Sequence, residues 1–494
     1  MEHLDQNTES YYDVIIVGAG ISGIGAGRYL QQKCPRKRFL IIEGRKKIGG
    51  TWDLFRFPGI RSDSDMFTLG YAFKPWEDRK AIADGASILS YLKETVKENN
   101  LLKKIKFNHK VLTASWDSTK AQWIIEVKDT SNDTTINISC SFLFMGTGYY
   151  NYDQGYTPDF KSVNNFKGIV VHPQKWPENL EYENKKIIVI GSGATAATIV
   201  PELAKKAEHV VMLQRSPTYY FSTPDEDKFA NFLKKILPSK ISYSIIRTRN
   251  VFFQQLLYRI CRKYPKYIKR KLIDQVKEVL PNYDVKKHFT PKYYPWEQRM
   301  CLIPNGDLFE SIRLKKTSIV TDHIDSFTDR GILLQSNVEL EADIIITATG
   351  LNLQQFGGVQ LYLDNKPINP AETMTYKSMM FSGIPNFVNS FGYINASWTL
   401  KADLTCEYAC RLINYMDKKG YKYCFPQIPL GVKEDKDWLA TEFSSGYIHR
   451  SIDLFPKQGN RSPWINTQNY FKDFFGIKFG RIDDDSIHFS LQQR

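Results

Sequence analysis

Two short apolar runs each lead straight into a glycine cluster, and these clusters carry the residue types best suited to chemistry. The first is Asp13-Val-Ile-Ile-Val-Gly-Ala-Gly-Ile-Ser-Gly23, a G-x-G-x-x-G pattern of Gly18, Gly20 and Gly23 that includes Ser22. Gly18 permits a tight turn, Gly20 lets backbone approach a pyrophosphate, and Gly23 lets the next helix pack closely on the strand. That helix would aim its unpaired N–H groups and positive dipole end at the phosphates. A second apolar run, Phe39-Leu-Ile-Ile, ends at Glu43, twenty residues past Gly23, where a carboxylate suits the hydroxyls of an adenosine ribose. The other cluster is Lys186-Ile-Ile-Val-Ile-Gly-Ser-Gly-Ala-Thr-Ala196, presenting Gly191, Ser192, Gly193, Ala194, Thr195 and Ala196. Its following strand, Val210-Val-Met-Leu-Gln, ends in Arg215 and Ser216 and carries no acid there. An acid would repel a 2′-phosphate, whereas a guanidinium grips one with a planar fork. The first site therefore suits a plain adenosine ribose and the second a 2′-phosphorylated one.

These units call for an α/β fold class with two Rossmann-like dinucleotide-binding domains and a helical insertion. Ala81 to about Leu102 has helical spacing, and the segments around Val111 and Trp123 to Val127 alternate like a hairpin. Phe142-Leu-Phe-Met-Gly-Thr-Gly148 reads as a buried strand that closes the first nucleotide half at a glycine turn. Glu341-Ala-Asp-Ile-Ile-Ile-Thr-Ala-Thr-Gly350 is a second such strand, expected to return the chain to that first domain. The expected division is 11–150 with 336–494 for the first domain, 151–216 with 291–335 for the second, and 217–290 for a basic helical insertion. In the insertion Ile245, Ile246, Phe252, Phe253, Leu256, Leu257 and Ile260 recur at helical spacing. The expectation is that this apolar side packs on the nucleotide domain; a sharper alternative is a surface resting on anionic membrane.

A formal charge of +14 over 494 residues hints at nucleic acid until it is located. Residues 234–277 hold thirteen lysines and arginines against the single acid Asp274, so the remainder is near neutral. With no supporting motif, a nucleic-acid partner is not expected. The seven cysteines form no C-x-x-C pair, which speaks for a reduced cytoplasmic compartment and against a disulfide reductase or a metal site. No apolar signal segment or bilayer-spanning run is read, and residues 1–10 are expected to be a polar tail. Peripheral membrane association through 234–277 is the corollary of the sharper reading of the insertion.

Two further patterns lie near the glycine clusters. One is Phe166-Lys-Gly-Ile-Val-Val-His-Pro-Gln-Lys-Trp-Pro177, or F-x-G-x-x-x-H-x-x-x-W-P, fixed by Phe166, Gly168, His172, Trp176 and Pro177. The other is Gly49-Gly-Thr-Trp-Asp-Leu-Phe-Arg-Phe-Pro-Gly-Ile-Arg-Ser-Asp63. Together the chain resembles the type I Baeyer–Villiger monooxygenases, most like the branch that includes the ethionamide-activating monooxygenase. The resemblance implies FAD in the first domain and NADPH in the second, with O2 as co-substrate. It implies oxygen insertion beside the carbonyl of a small apolar ketone, giving an ester or lactone, and oxidation of sulfur in thioethers and thioamides. It places FAD contacts at Gly50, Thr51, Trp52, Asp53, Leu54, Asp63, Val111 (through its backbone), Gly148 and Gly350, and NADPH contacts at Arg61 and Ser62. Arg299 falls where the family keeps its catalytic arginine, a fixed cation for a developing oxyanion, with Asp63 orienting it. Gln298 stands where many relatives have a lysine that helps bind the 2′-phosphate. The long fingerprint implies hinge parts rather than reacting groups, and Gly-Tyr-Ile-Asn-Ala-Ser-Trp398 is placed near the flavin or substrate passage. The rivals are a flavin monooxygenase acting only on nitrogen or sulfur, and a membrane-surface binding protein with relic nucleotide sites.

Overall fold

The computed structural model describes residues 10–435 and 446–491. The polar tail expected at the amino terminus lies, but for its last residue, outside the described residues. Each glycine-cluster strand sits between parallel neighbours in its own sheet. In the first, Ser10–Val17 runs between Phe39–Ile42 and Thr134–Met145, with Val17 opposite both Ile42 and Met145. Ile105–Lys106 and Phe387–Asn389 extend this parallel core. Its strands read as unbroken apolar runs because both faces are covered. Val14 and Ile16 meet the helices Ile21–Lys33 and Trp398–Lys419 on one face. Ile15 and Val17 meet the other, where His109–Asp117 and Gln122–Asp129 form an antiparallel ribbon with the first part of Thr134–Met145. Trp116 and Trp123, paired across the ribbon, pack edge to face at 5.6 Å.

The second sheet has the order Thr317–Thr321, His209–Gln214, Lys186–Ile190, Ile344–Thr347, Ile169–Val171, all parallel. Ile187 and Val189 pack on the helix Ala194–Leu203, and Ile188 and Ile190 pack on Phe166, Phe327 and Ile332. One expectation is corrected here. The strand before Gly350 does not rejoin the first domain at 336 but lies inside the second sheet, between Lys186–Ile190 and Ile169–Val171. Its isoleucines are buried on both faces, and such a strand carries no alternation to show which sheet it belongs to. The crossing comes after Gly350, where Leu351–Leu353 pairs antiparallel with Tyr150–Gly155. The two connections between the sheets thus run side by side.

The insertion is helical, with Lys228–Ile236, Ser239–Lys263 and Pro265–Val279 as its main elements. The side expected to pack inward is mostly turned out: Ile246 is buried, but Ile245, Phe252, Phe253 and Leu256 are exposed. The helix Ser239–Lys263 instead buries Tyr243, Arg247, Val251 and Gln255. Its docking surface explains this, because a turn of the first domain offers polar backbone there. Arg247 donates to the carbonyl oxygens of Phe67, Thr68 and Gly70 at 2.9, 3.3 and 2.7 Å, and to Asp403 at 3.0 Å.

Candidate functional site

A cavity of about 1440 Å³ joins the first glycine cluster, the Gly49–Asp63 segment, the residues around Arg299 and the long helix of the insertion. Gly18 turns with φ +98°, and a Cβ there would press on the carbonyl of Gly146 at 2.8 Å. Gly148 (φ +71°) has nothing within 4 Å of where a Cβ would stand, and it lines the cavity. Gly20, Ser22, Glu43, Val111, Gly50, Thr51, Trp52 and Leu54 share that wall. The Glu43 carboxylate ends its strand buried, accepting from the Ala19 amide at 2.6 Å and the Arg45 amide at 2.9 Å. Burial lifts its pKa above the ordinary carboxylate value, and these two hydrogen bonds pull it back.

Arg299 lies just before the strand Cys301–Pro304, which pairs with Tyr220–Thr223. Its guanidinium donates to Asp63 at 2.8 Å and to the Ile394 carbonyl at 3.0 Å. The two side chains are 35% and 41% exposed, and both line the cavity. An ion pair that open to solvent adds only about 0–1 kcal/mol to stability, so stability does not explain its placement. Asp63 is positioned by the short helix Met66–Leu69 just beyond it, which Asp65 caps through the Thr68 amide at 3.1 Å. Beside the pair, the Tyr149 ring stacks on Trp398 at 5.2 Å, and its hydroxyl meets that of Tyr150 at 2.9 Å. Burial drives the Tyr149 phenol well above 10, so it stays protonated. Trp398 donates in turn to Ser22 at 2.8 Å, tying its stretch to the first glycine turn.

Other expected residues stand apart from this wall. Asp53 is buried with its carboxylate between Arg45 at 2.7 Å and Arg56 at 2.6 Å, turned to arginines rather than to the cavity. Gly23 packs against the Gly18 carbonyl, which no Cβ would allow. Arg61 pairs with Asp307, while its neighbour Ser62 reaches the cavity. Gly350 and the second glycine cluster also lie off this wall. In that cluster Gly191 has φ +136°, and a Cβ at Gly193 would meet nothing within 4 Å. The Ser192 hydroxyl donates to the Ser216 carbonyl at 3.1 Å, and Arg215 is exposed where its strand ends.

The long fingerprint lies at the crossing between sheets. His172 Nε2 donates to the Gly350 carbonyl at 3.1 Å, and its Nδ1 accepts from the Gln174 amide at 3.2 Å. A Cβ at Gly155 would overlap the His172 ring, and one at Gly168 would overlap the Asp343 carbonyl. Phe166 is buried in the core of the second sheet, Trp176 packs partly buried against it, and Pro177 is exposed. None of the five lines the cavity.

Several wall residues went unnoticed in the sequence. Tyr152 meets the Thr51 hydroxyl at 3.3 Å, and burial pushes its phenol up to about 12. The only signal was the tyrosine run after Gly148. Three buried polar atoms on the wall, Asn395 Oδ1, Gln254 Oε1 and Trp296 Nε1, have no hydrogen-bond partner among the described residues. Buried polar groups are normally satisfied, so these three mark places for a ligand. With the glycine cradle, the acid beside it and these donors and acceptors, the cavity fits a flavin dinucleotide.

Residues 70–380 match the flavin-binding monooxygenase-like family, and residues 16–77 match an NAD(P)-binding Rossmann-like domain. The chain belongs to the flavin-binding monooxygenase-like family. It is 50% identical over 482 residues to the FAD-containing monooxygenase EthA of Mycobacterium tuberculosis, covering 97% of this chain and 98% of that protein. Among solved structures it resembles an oxidized steroid monooxygenase bound to NADP, with TM-score 0.78 and 20% identity over 97% of this chain and all of that one. A cyclohexanone monooxygenase with ε-caprolactone bound gives TM-score 0.76 and 17% identity, again over 97% of this chain and all of that one. At such identities the two structures establish the fold alone. Family membership makes this chain a flavoprotein monooxygenase.

Proposed function

We propose that the chain is an FAD- and NADPH-dependent Baeyer–Villiger monooxygenase. It would insert one oxygen atom of O2 beside the carbonyl of small apolar ketones, giving esters or lactones, and would also oxygenate sulfur in thioethers and thioamides. The observation that carries this reading is Arg299, fixed on the cavity wall by Asp63 at 2.8 Å and by the Ile394 carbonyl at 3.0 Å. The lactone bound to one structural relative and the NADP bound to the other support it.

When bound, FAD reduced by NADPH supplies activated oxygen. The chain's own residues do the rest. Gly18, Gly20 and Gly148 admit the dinucleotide backbone, and Glu43 stands beside the first glycine turn to meet ribose hydroxyls. Gly193 and the start of the helix Ala194–Leu203 receive the NADPH pyrophosphate, while Arg215 and Ser216 take its 2′-phosphate. Arg299 never loses its proton, so it offers a permanent cation to a substrate oxygen on which negative charge develops. Asp63 and the Ile394 carbonyl hold that cation in place on the cavity wall. Tyr149, Trp398 and Trp52 wall the site with rings. The fingerprint acts as a hinge part, since His172 bridges the two strands that cross between sheets.

Arg299→Ala and Arg299→Lys test this. The expected result is retained FAD and NADPH oxidation with ester formation reduced about 10²–10³-fold in the alanine variant. An unchanged ester yield from Arg299→Ala would reject the assignment.

A further inference from the structure

The helix Ser239–Lys263 has an inner face that docks on the first domain and an outer face that the fold does not use. On the outer face Ile241, Ile245, Phe252 and Leu256 form one stripe at helical spacing, 53%, 44%, 52% and 38% exposed. The adjoining helix Lys228–Ile236 adds Phe229, Phe232 and Ile236, at 46%, 57% and 57%. Single exposed apolar residues need no explanation, but seven on adjoining helices do. Lys228, Lys235, Lys240, Arg259, Arg262 and Lys263 stand exposed around them. The stripe also leads inward, for Phe229 and Leu256 line the cavity together with Phe253, Leu257 and Ile260.

We infer that this face rests on an anionic lipid surface and admits apolar substrate from it directly into the cavity. The substrate route builds on the monooxygenase reading of the cavity, whereas the lipid contact stands without it. The charge pattern selects this occupant. A second copy docked face to face would set lysines and arginines largely against the same groups, because the acids beside these helices, Asp227 and Glu77, are already engaged by Arg249 and Ser239. A nucleic acid would answer the charge but leave the phenylalanines and isoleucines in water. An anionic bilayer answers both, burying the stripe at the headgroup boundary while each nearby lysine or arginine adds its attraction. The contact is peripheral, because no helix among the described residues is long and apolar enough to cross a membrane. Substrates entering this way would be apolar ketones and thioethers that partition into lipid.

The test is co-sedimentation of the full-length flavoprotein with vesicles of phosphatidylcholine alone and of phosphatidylcholine mixed with phosphatidylglycerol. The expected result is binding to the mixed vesicles only, weakening as ionic strength rises from about 0.05 M to about 0.5 M. The triple substitution Phe232→Ser, Ile236→Ser and Phe252→Ser lies off the cavity wall. It should lower partitioning about a hundredfold and leave turnover of a short, water-soluble ketone unchanged. Lys235→Glu, Lys240→Glu and Arg262→Glu together should lower it at least about tenfold. Failure to sediment with either vesicle, or equal binding by the serine variant, would overturn the proposal. So would a concentration-dependent dimer that the serine substitutions disperse, or a preference for DNA over lipid. Binding by a protein that turns over no ketone would leave this inference standing and reject only the enzymatic reading.

Discussion

Removing the guanidinium of Arg247 would strand one buried carboxylate and three backbone carbonyls at once. Arg247 and Asp403 are 10% and 9% exposed, and Arg247 joins Asp403 to the turn after Asp65. Breaking such a pair by deleting one partner costs about 3–5 kcal/mol, since the other charge remains buried. The loss must depend on pH. Burial pushes the Asp403 carboxyl up to about 6, against the pull of Arg247, and without Arg247 it goes higher still. An acid raised in the folded state contributes stability below its unfolded value and loses it as pH rises through the folded one. In Arg247→Met the lone carboxyl therefore stays protonated to a higher pH than in the wild type, so the deficit is larger near pH 8 than near pH 5. It shrinks by about 1.4 kcal/mol for each unit of pH between the variant's raised value and the wild-type value of about 6, and is level below that. Arg247→Met with Asp403→Leu should recover the part of the loss that comes from the lone buried charge and not the part from the carbonyls of Phe67, Thr68 and Gly70, which still lack their donor. Denaturation midpoints at both pH values measure this. FAD content gives a second readout, as the turn that Arg247 holds comes just after Asp63. A deficit below about 1 kcal/mol, or the same deficit at both pH values, would refute the reasoning.

Burial holds the His172 imidazole below its ordinary pKa, and its Nδ1 already accepts a hydrogen bond, so the folded protein keeps it neutral. Stability should fall as pH drops below the unfolded value of about 6.5, and His172→Gln should remove about 1 kcal/mol of that slope in melts at mildly acid pH. A Cβ at Gly193 would meet no protein atom within 4 Å, so Gly193→Ala should stay within about 1 kcal/mol of wild-type stability while NADPH reduces the flavin far more slowly; a large drop in stability would contradict this. Arg215→Ala should raise KM for NADPH about tenfold and leave KM for NADH unchanged in steady-state assays.

What could be read from the sequence was local. A strand, a glycine turn and the acid or arginine that ends the next strand lie within about thirty residues, so Gly18, Glu43, Gly191 and Arg215 were legible from spacing. Arg299 and Asp63 stand 236 positions apart and meet only in the fold, so family resemblance alone linked them. The strand Ile344–Thr347 reads from its sequence into the wrong sheet because a strand buried on both faces has no polar side to betray its neighbours. Apolar spacing found the stripe on Ser239–Lys263 but not its direction, since the inner face is fixed by a buried arginine on backbone carbonyls. Tyr149 and Tyr152 carry no motif, and their relevance comes from the cavity they enclose, whereas Asn395 belongs to the stretch ending at Trp398 that the resemblance placed near the flavin or substrate passage.

The central claim is tested most directly by products. The purified flavoprotein should be supplied with NADPH, dioxygen labelled with heavy oxygen, and a panel of ketones and thioethers, with products identified by mass. Baeyer–Villiger chemistry at Arg299 predicts esters or lactones carrying one heavy oxygen atom, formed by the wild type and lost in Arg299→Ala. Sulfoxides with no ester from any ketone would contradict it and leave an oxygenase of sulfur or nitrogen in its place.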